Sequence, residues 1–212
     1  MGADADAADA SLAAEALRLN TRYVEEIVLA WGLCPWAERS FRHGHVRQHV
    51  IVDVAPTPEA ALPFVDELVA APDLEIGLLI FPRAPQTAPQ WDAFAEKVRR
   101  ADHARRPDAA TSPPAPAFLI AAFHPDARAT FDTAAQMVSF VRRTPDPTLQ
   151  LVRTSILKRA TGEGGRVSDD ITQRNFEAVR ERGADALDAA VRELRRDRDQ
   201  TYARLYDLGG SW

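Results

Sequence analysis

One thiol, one strand-end imidazole and a set of arginines are the groups in this chain best suited to chemistry. The only cysteine is Cys34, in Leu33-Cys34-Pro35-Trp36-Ala37. Proline favours the first position of a helix, so this order predicts a short helix to about Phe41 with Cys34 as its N-cap. A thiol placed there faces free backbone N–H groups and the positive end of the helix dipole, which both favour thiolate. That would suit a nucleophile or an acid/base thiol. The competing reading is a small buried hydrophobe.

His124 closes the apolar run 117–123, just before Pro125. The run reads as a buried strand, and proline cannot extend its ladder. Histidine is the side chain best suited to proton transfer near neutral pH, and α/β sheets collect ligands at the carboxyl ends of strands. A histidine held by a local hydrogen bond is the alternative. Arg153 falls within a predicted helix from Pro147 to about Ala160, in the middle of a stripe of Leu149, Val152, Ile156, Leu157 and Ala160. A guanidinium on an apolar face needs a partner, either a structural carboxylate or an anionic ligand. Arg143, just before that helix, could join it in a clamp for a carboxylate or phosphate.

Other patterns carry less. His43, His45 and His49 straddle a turn and a strand start with no carboxylate-rich motif beside them, so no metal site is assigned. Cys34-Pro35 is too short a match to imply haem, and no cofactor is expected. Thr161-Gly162-Glu163-Gly164-Gly165-Arg166 lacks the ending of a phosphate-binding loop.

The elements that must position these groups follow from periodicity. Residues 1–10 read as a disordered Ala/Asp tail, and 11–212 as one domain. A helix is predicted over 11–31, closed by Gly32 in a left-handed conformation. Strands are predicted over 46–54, 75–81 and 117–124, separated by helices that start at Thr57-Pro58 and near Pro89. A proline-rich surface loop covers 105–116. Thr133 and Gln136 form a capping box. A helix starts near Asp170, and a last one from Asp185 carries the charge run 195–199, read as solvated. Helical links between consecutive strands predict an α/β fold: a small, mainly parallel sheet of about three to four strands covered by helices. An inserted strand would give an α+β two-layer sandwich instead. In the parallel arrangement Asp53, Arg83 and His124 share one edge.

Composition sets the bounds. A chain of 212 residues with a net charge of −5 is long enough for one good core and lacks the basic surface of a general nucleic-acid binder. No apolar run reaches the ~18 residues of a membrane span. With no secretory leader and one cysteine, a cytoplasmic location is expected. Oligomeric state is not legible.

Several short motifs, in order, resemble the bacterial DUF1415 family: Leu33-Cys34-Pro35-Trp36-Ala37, Phe123-His124-Pro125, Arg143-Thr144-Pro145-Asp146-Pro147, Leu151-Val152-Arg153 and Arg174-Asn175. Phe81-Pro82 stands where that family has His-Pro, and Arg142 where it has Asn. The resemblance implies that Cys34, His124, Arg143 and Arg153 belong to a family pattern, with Arg174 and Asn175 beside them. The resulting expectation is a small-molecule enzyme. Cys34 and His124 would be catalytic, and Arg143, Arg153, Arg83, Arg174 and Asn175 would hold an acidic metabolite during hydrolysis, group transfer or lyase chemistry. A non-catalytic anion-binding protein and a structural interaction module are the alternatives.

Overall fold

The computed structural model describes residues 2–34, 36–106, 116–128, 130–161 and 167–209. Pro35, most of the proline-rich loop and the glycine-rich loop 162–166 lie outside the described residues. In chain order the elements are α1 (Gly2–Tyr23), a π-helical turn (Val24–Leu29), α2 (Ala37–Arg42), β1 (Val46–Val50), α3 (Pro58–Ala70), β2 (Ile76–Ile80), α4 (Ala88–Arg105), β3 (Phe118–Phe123), α5 (Ala134–Phe140), β4 (Thr148–Arg153), α6 (Thr154–Thr161), α7 (Val167–Arg182) and α8 (Ala184–Gly209).

The sheet order is β1-β2-β4-β3. β1 pairs parallel with β2, and β4 pairs antiparallel with both β2 and β3. β1, β2 and β3 therefore run in one direction, as their helical links require. The expectation of a mainly parallel sheet fails because β4 enters between β2 and β3 in the opposite sense. The segment 148–153 was expected to be helical. Leu149 and Leu151 are buried with α3 and α4, on the opposite face from Gln150 and Val152, which is strand periodicity. Leu149, Val152 and Ile156 also satisfy a helical stripe, and pairing on both sides selects the strand.

Alternation along the strands fills both faces. Leu79, Phe118, Ile120, Leu149 and Leu151 pack with Phe64, Leu68, Trp91 and Phe94 of α3 and α4. Ile76, Leu78 and Phe123 pack on the other side with Tyr23, Ile27, Met137, Phe140, Val179, Leu187 and Leu194. The result is a mixed α/β domain of three layers. At Gly77 an added Cβ would collide with Leu68, so glycine is what lets α3 approach β2 so closely.

Local signals place most helix ends. Thr133 Oγ1 accepts from the Gln136 N–H at 3.3 Å, and the Gln136 side chain accepts from the Thr133 N–H at 3.2 Å. Gly32 has φ +63°. α1 starts at Gly2, so the segment 2–10 assigned to a tail continues the helix. Leu12 and Leu19 pack against Tyr202 of α8, and Asp197 of α8 meets Arg18 at 3.0 Å and Arg22 at 2.5 Å. Among the described residues no helix is long and apolar enough to cross a membrane.

Candidate functional site

Four of the seven residues singled out in the sequence gather around Tyr23, at the end of α1. There the helix widens into the π turn, with the Ala30 N–H bonding the Glu25 carbonyl at 3.1 Å and the Leu33 N–H bonding that of Val28 at 2.9 Å. π turns are frequent at functional sites. Gly32 then reverses the chain and brings Cys34 within electrostatic reach of Tyr23. Asn175 of α7 is buried and donates to the Leu33 carbonyl at 2.7 Å, which fixes the loop that carries the thiol. Its neighbour Arg174 acts on Cys34 electrostatically.

Cys34 precedes α2 but is not its N-cap; that position is Trp36, and the helix starts at Ala37. The thiol still receives the N–H groups of Trp36 and Ala37, which stabilise thiolate, as does Arg174. Burial outweighs all three and pushes its pKa up.

Arg142 and Arg143 reach this cluster from the turn after α5, where Tyr23 donates its hydroxyl to the Val141 carbonyl at 2.6 Å. Both guanidiniums act on Tyr23, whose own pKa burial raises. Arg143 is 7% exposed. It donates to the Phe140 carbonyl at 3.0 Å, pairs with Asp188 of α8 and stacks on Phe140, while Nη2 is buried without an acceptor. Arg142 lies over the Phe123 ring at 5.5 Å, and burial depresses its pKa against the pull of Asp92 and Tyr23. Neither Arg142 nor Arg174 has a carboxylate in ion-pair contact among the described residues.

His124 stands at the carboxyl edge as expected, 6% exposed. Its N–H bonds the Arg142 carbonyl at 3.0 Å, so its backbone borders the cluster. Its ring is committed elsewhere. Nδ1 accepts from the Asp126 N–H at 3.0 Å, which assigns the proton to Nε2 for donation to the Gln86 carbonyl at 2.8 Å. Burial lowers its pKa first, with Arg195 and Arg198 adding to the effect and Asp126 opposing it. Both ring nitrogens are thus engaged with nearby backbone.

Arg83 belongs to a different part of the same edge. A cleft of ≈ 590 Å³ opens there between Val54, Pro82, Arg83, Ala84, Arg198 and Tyr206. Arg83 meets Asp9 of α1 at 2.7 Å. Arg198 meets Asp146 at 2.9 Å and Asp199 at 3.0 Å. The Asp146 side chain is 1% exposed and also accepts the Tyr202 hydroxyl at 2.7 Å. Burial raises its pKa against the pull of Arg198 and Tyr202. The charge run of α8 is thus partly an internal ion-pair face. Helical spacing was the available signal, because Arg198 and Tyr202 are one turn apart.

Arg153 is parted from all of these. It ends β4 opposite Phe118, the first residue of β3, whereas His124 follows the last. The two are separated by the length of that strand, roughly 17–20 Å. Its guanidinium donates to the carbonyls of Leu68 (2.6 Å), Ala71 (2.8 Å) and Leu74 (2.8 Å), capping the end of α3, and stacks on Phe118 at 4.6 Å. An Arg143–Arg153 clamp is not formed. Sequence reasoning missed Arg142 and Tyr23 as site residues, and Asp146 with Arg198. Among the described residues no group of three or more His, Cys, Asp or Glu is placed to hold a metal ion.

No curated protein and no solved structure matches the chain. A family model described as a protein of unknown function, DUF1415, matches residues 15–189. That span takes in Tyr23, Cys34, Arg142, Arg143, Arg174 and Asn175. The chain therefore belongs to the DUF1415 family.

Proposed function

We propose that the protein binds a small anionic molecule, a carboxylate or phosphate, at the cluster of Arg142, Arg143 and Arg174 beside Tyr23 and Cys34. One observation carries this reading. Arg143 is buried and Arg142 half-buried, with desolvation opposing its charge, yet Asp188 is the one carboxylate in contact with either among the described residues. A desolvated guanidinium without a counter-ion is costly, and an anion relieves that cost. Arginine also suits the planar, two-oxygen geometry of carboxylate and phosphate. A cytoplasmic small-molecule role is consistent with this chemistry.

A second reading keeps Cys34 as the nucleophile in hydrolysis, group transfer or lyase chemistry. The N–H groups of Trp36 and Ala37 favour it, since they lower the thiol pKa against burial. His124 supports it less, because both ring nitrogens are engaged in local hydrogen bonds.

Thermal unfolding in inorganic phosphate, against sodium chloride at equal ionic strength, tests the binding reading. Phosphate is expected to raise the midpoint of the native chain and to lose that effect in the double variant Arg142→Gln, Arg174→Gln. Equal shifts in both salts, or an undiminished phosphate shift in the variant, would refute it.

A further inference from the structure

We infer that the cleft beside Arg83 is a second and separate binding site, for a carboxylate with an apolar or aromatic body, and that Asp9 occupies its anion position when no ligand is bound. The walls define the ligand. Val54, Pro82 and Ala84 offer apolar surface, and Tyr206 presents a ring that is 40% exposed. Two guanidiniums line the cleft, but they are not equivalent. Arg198 is held by the buried Asp146 and by Asp199, so its charge is answered within the fold. The Arg83 side chain is only 13% exposed and meets the carboxylate of Asp9 at 2.7 Å, while its Nη1 donates to the Val52 carbonyl at 3.4 Å.

Asp9 is a replaceable partner. Between residues 6 and 11 none is buried and Leu12 is the first that packs into the core, so Asp9 lies on the turn before that packed part of the helix. Ends of helices outside the core open at little cost. The Asp9 side chain is itself 37% exposed. A carboxylate that also buries a ring against Tyr206, Val54 and Pro82 gains apolar contact that Asp9 cannot supply. Arg83 would then hold the ligand carboxylate in place of that of Asp9. The cleft, ≈ 590 Å³, is an open one with room for a small carboxylate such as benzoate.

Benzoate and acetate are the probes, with binding to the full chain followed by ¹H–¹⁵N NMR shifts at the Ala84 and Tyr206 amides. Benzoate is expected to bind at these positions more tightly than acetate. Asp9→Asn removes that competing carboxylate and is expected to tighten benzoate binding by up to about fivefold, the range of a weak ion pair. Arg83→Gln is expected to abolish it, and Tyr206→Ala to erase the advantage over acetate. Arg142→Gln, which disables the other cluster, is expected to leave the benzoate response unchanged, so failure of either site is read separately. Benzoate binding that is absent, no tighter than that of acetate, or not tightened by Asp9→Asn would overturn the proposal.

Discussion

The cluster around Tyr23 and the cleft beside Arg83 are both built on arginine, and they differ in how the charge is answered. At the cleft Arg198 is held by Asp146 and Asp199, and Arg83 meets the more exposed Asp9. At the cluster Arg142 is half-buried beside Phe123 with no carboxylate in contact among the described residues, and Arg143 leaves one nitrogen without an acceptor. A guanidinium buried with its counter-ion contributes to the architecture. One buried without a counter-ion lowers stability until something else neutralises it. By that criterion the anion proposed for the cluster would supply a missing counter-ion, whereas the ligand proposed for the cleft would replace Asp9.

The largest test breaks the compensated side. Asp146→Ala is expected to cost about 3–5 kcal/mol in denaturant unfolding, because it strands Arg198 and the Tyr202 hydroxyl in a buried setting. A loss under about 1 kcal/mol would mean that the pair is well hydrated and that the contrast fails. Next in size is Arg153, a control far from both regions. Arg153→Ala is expected to cost about 1–3 kcal/mol by leaving carbonyls at the end of α3 without donors, and to leave phosphate and benzoate binding unchanged. Reduced binding of either probe would return Arg153 to the site.

The uncompensated side should respond in the opposite sense. Arg142→Met is expected to leave stability unchanged or to raise it by up to about 1 kcal/mol without ligand, since it removes a desolvated cation. A clear destabilisation would show that Arg142 has a structural partner.

The smallest effects are read in pH. Burial lowers the folded pKa of His124 from 6.5, so the neutral ring contributes stability that is present above that value and lost as pH falls through the folded pKa. His124→Gln is expected to flatten the dependence below about 6.5. For Cys34 the sign reverses: its folded pKa is raised, so stability is present below the unfolded pKa of 9.0 and declines as pH rises through the folded value. Iodoacetamide should accordingly label the native chain slowly near neutral pH. Rapid labelling there would revive Cys34 as an activated nucleophile.

Much of the scaffold was legible locally. Thr133 with Gln136 and Gly32 after the first helix mark boundaries through their own side chain or φ, and Thr57 before Pro58 marks one because proline suits the first turn of a helix. The site was legible in part. Cys34, Arg143, Arg174 and Asn175 converge, while Arg83 and Arg153 are carried to other places. His124 reaches the expected edge but spends both nitrogens on nearby backbone.

The sequence by itself determined the order of the first three strands, the helices between them and their common direction. Those depend on the spacing of apolar residues and on short links, which act over a few turns. Tertiary structure decided that 148–153 is a strand, because Leu149, Val152 and Ile156 suit either period and only β2 and β3 on its two sides supply the missing hydrogen bonds. It also decided which arginines are answered. Asp146 and Arg198 are 52 residues apart, and no local pattern states that such a pair will meet. The strength of a buried charge depends on what the whole fold brings within a few ångströms of it, which the sequence carries only through the completed packing.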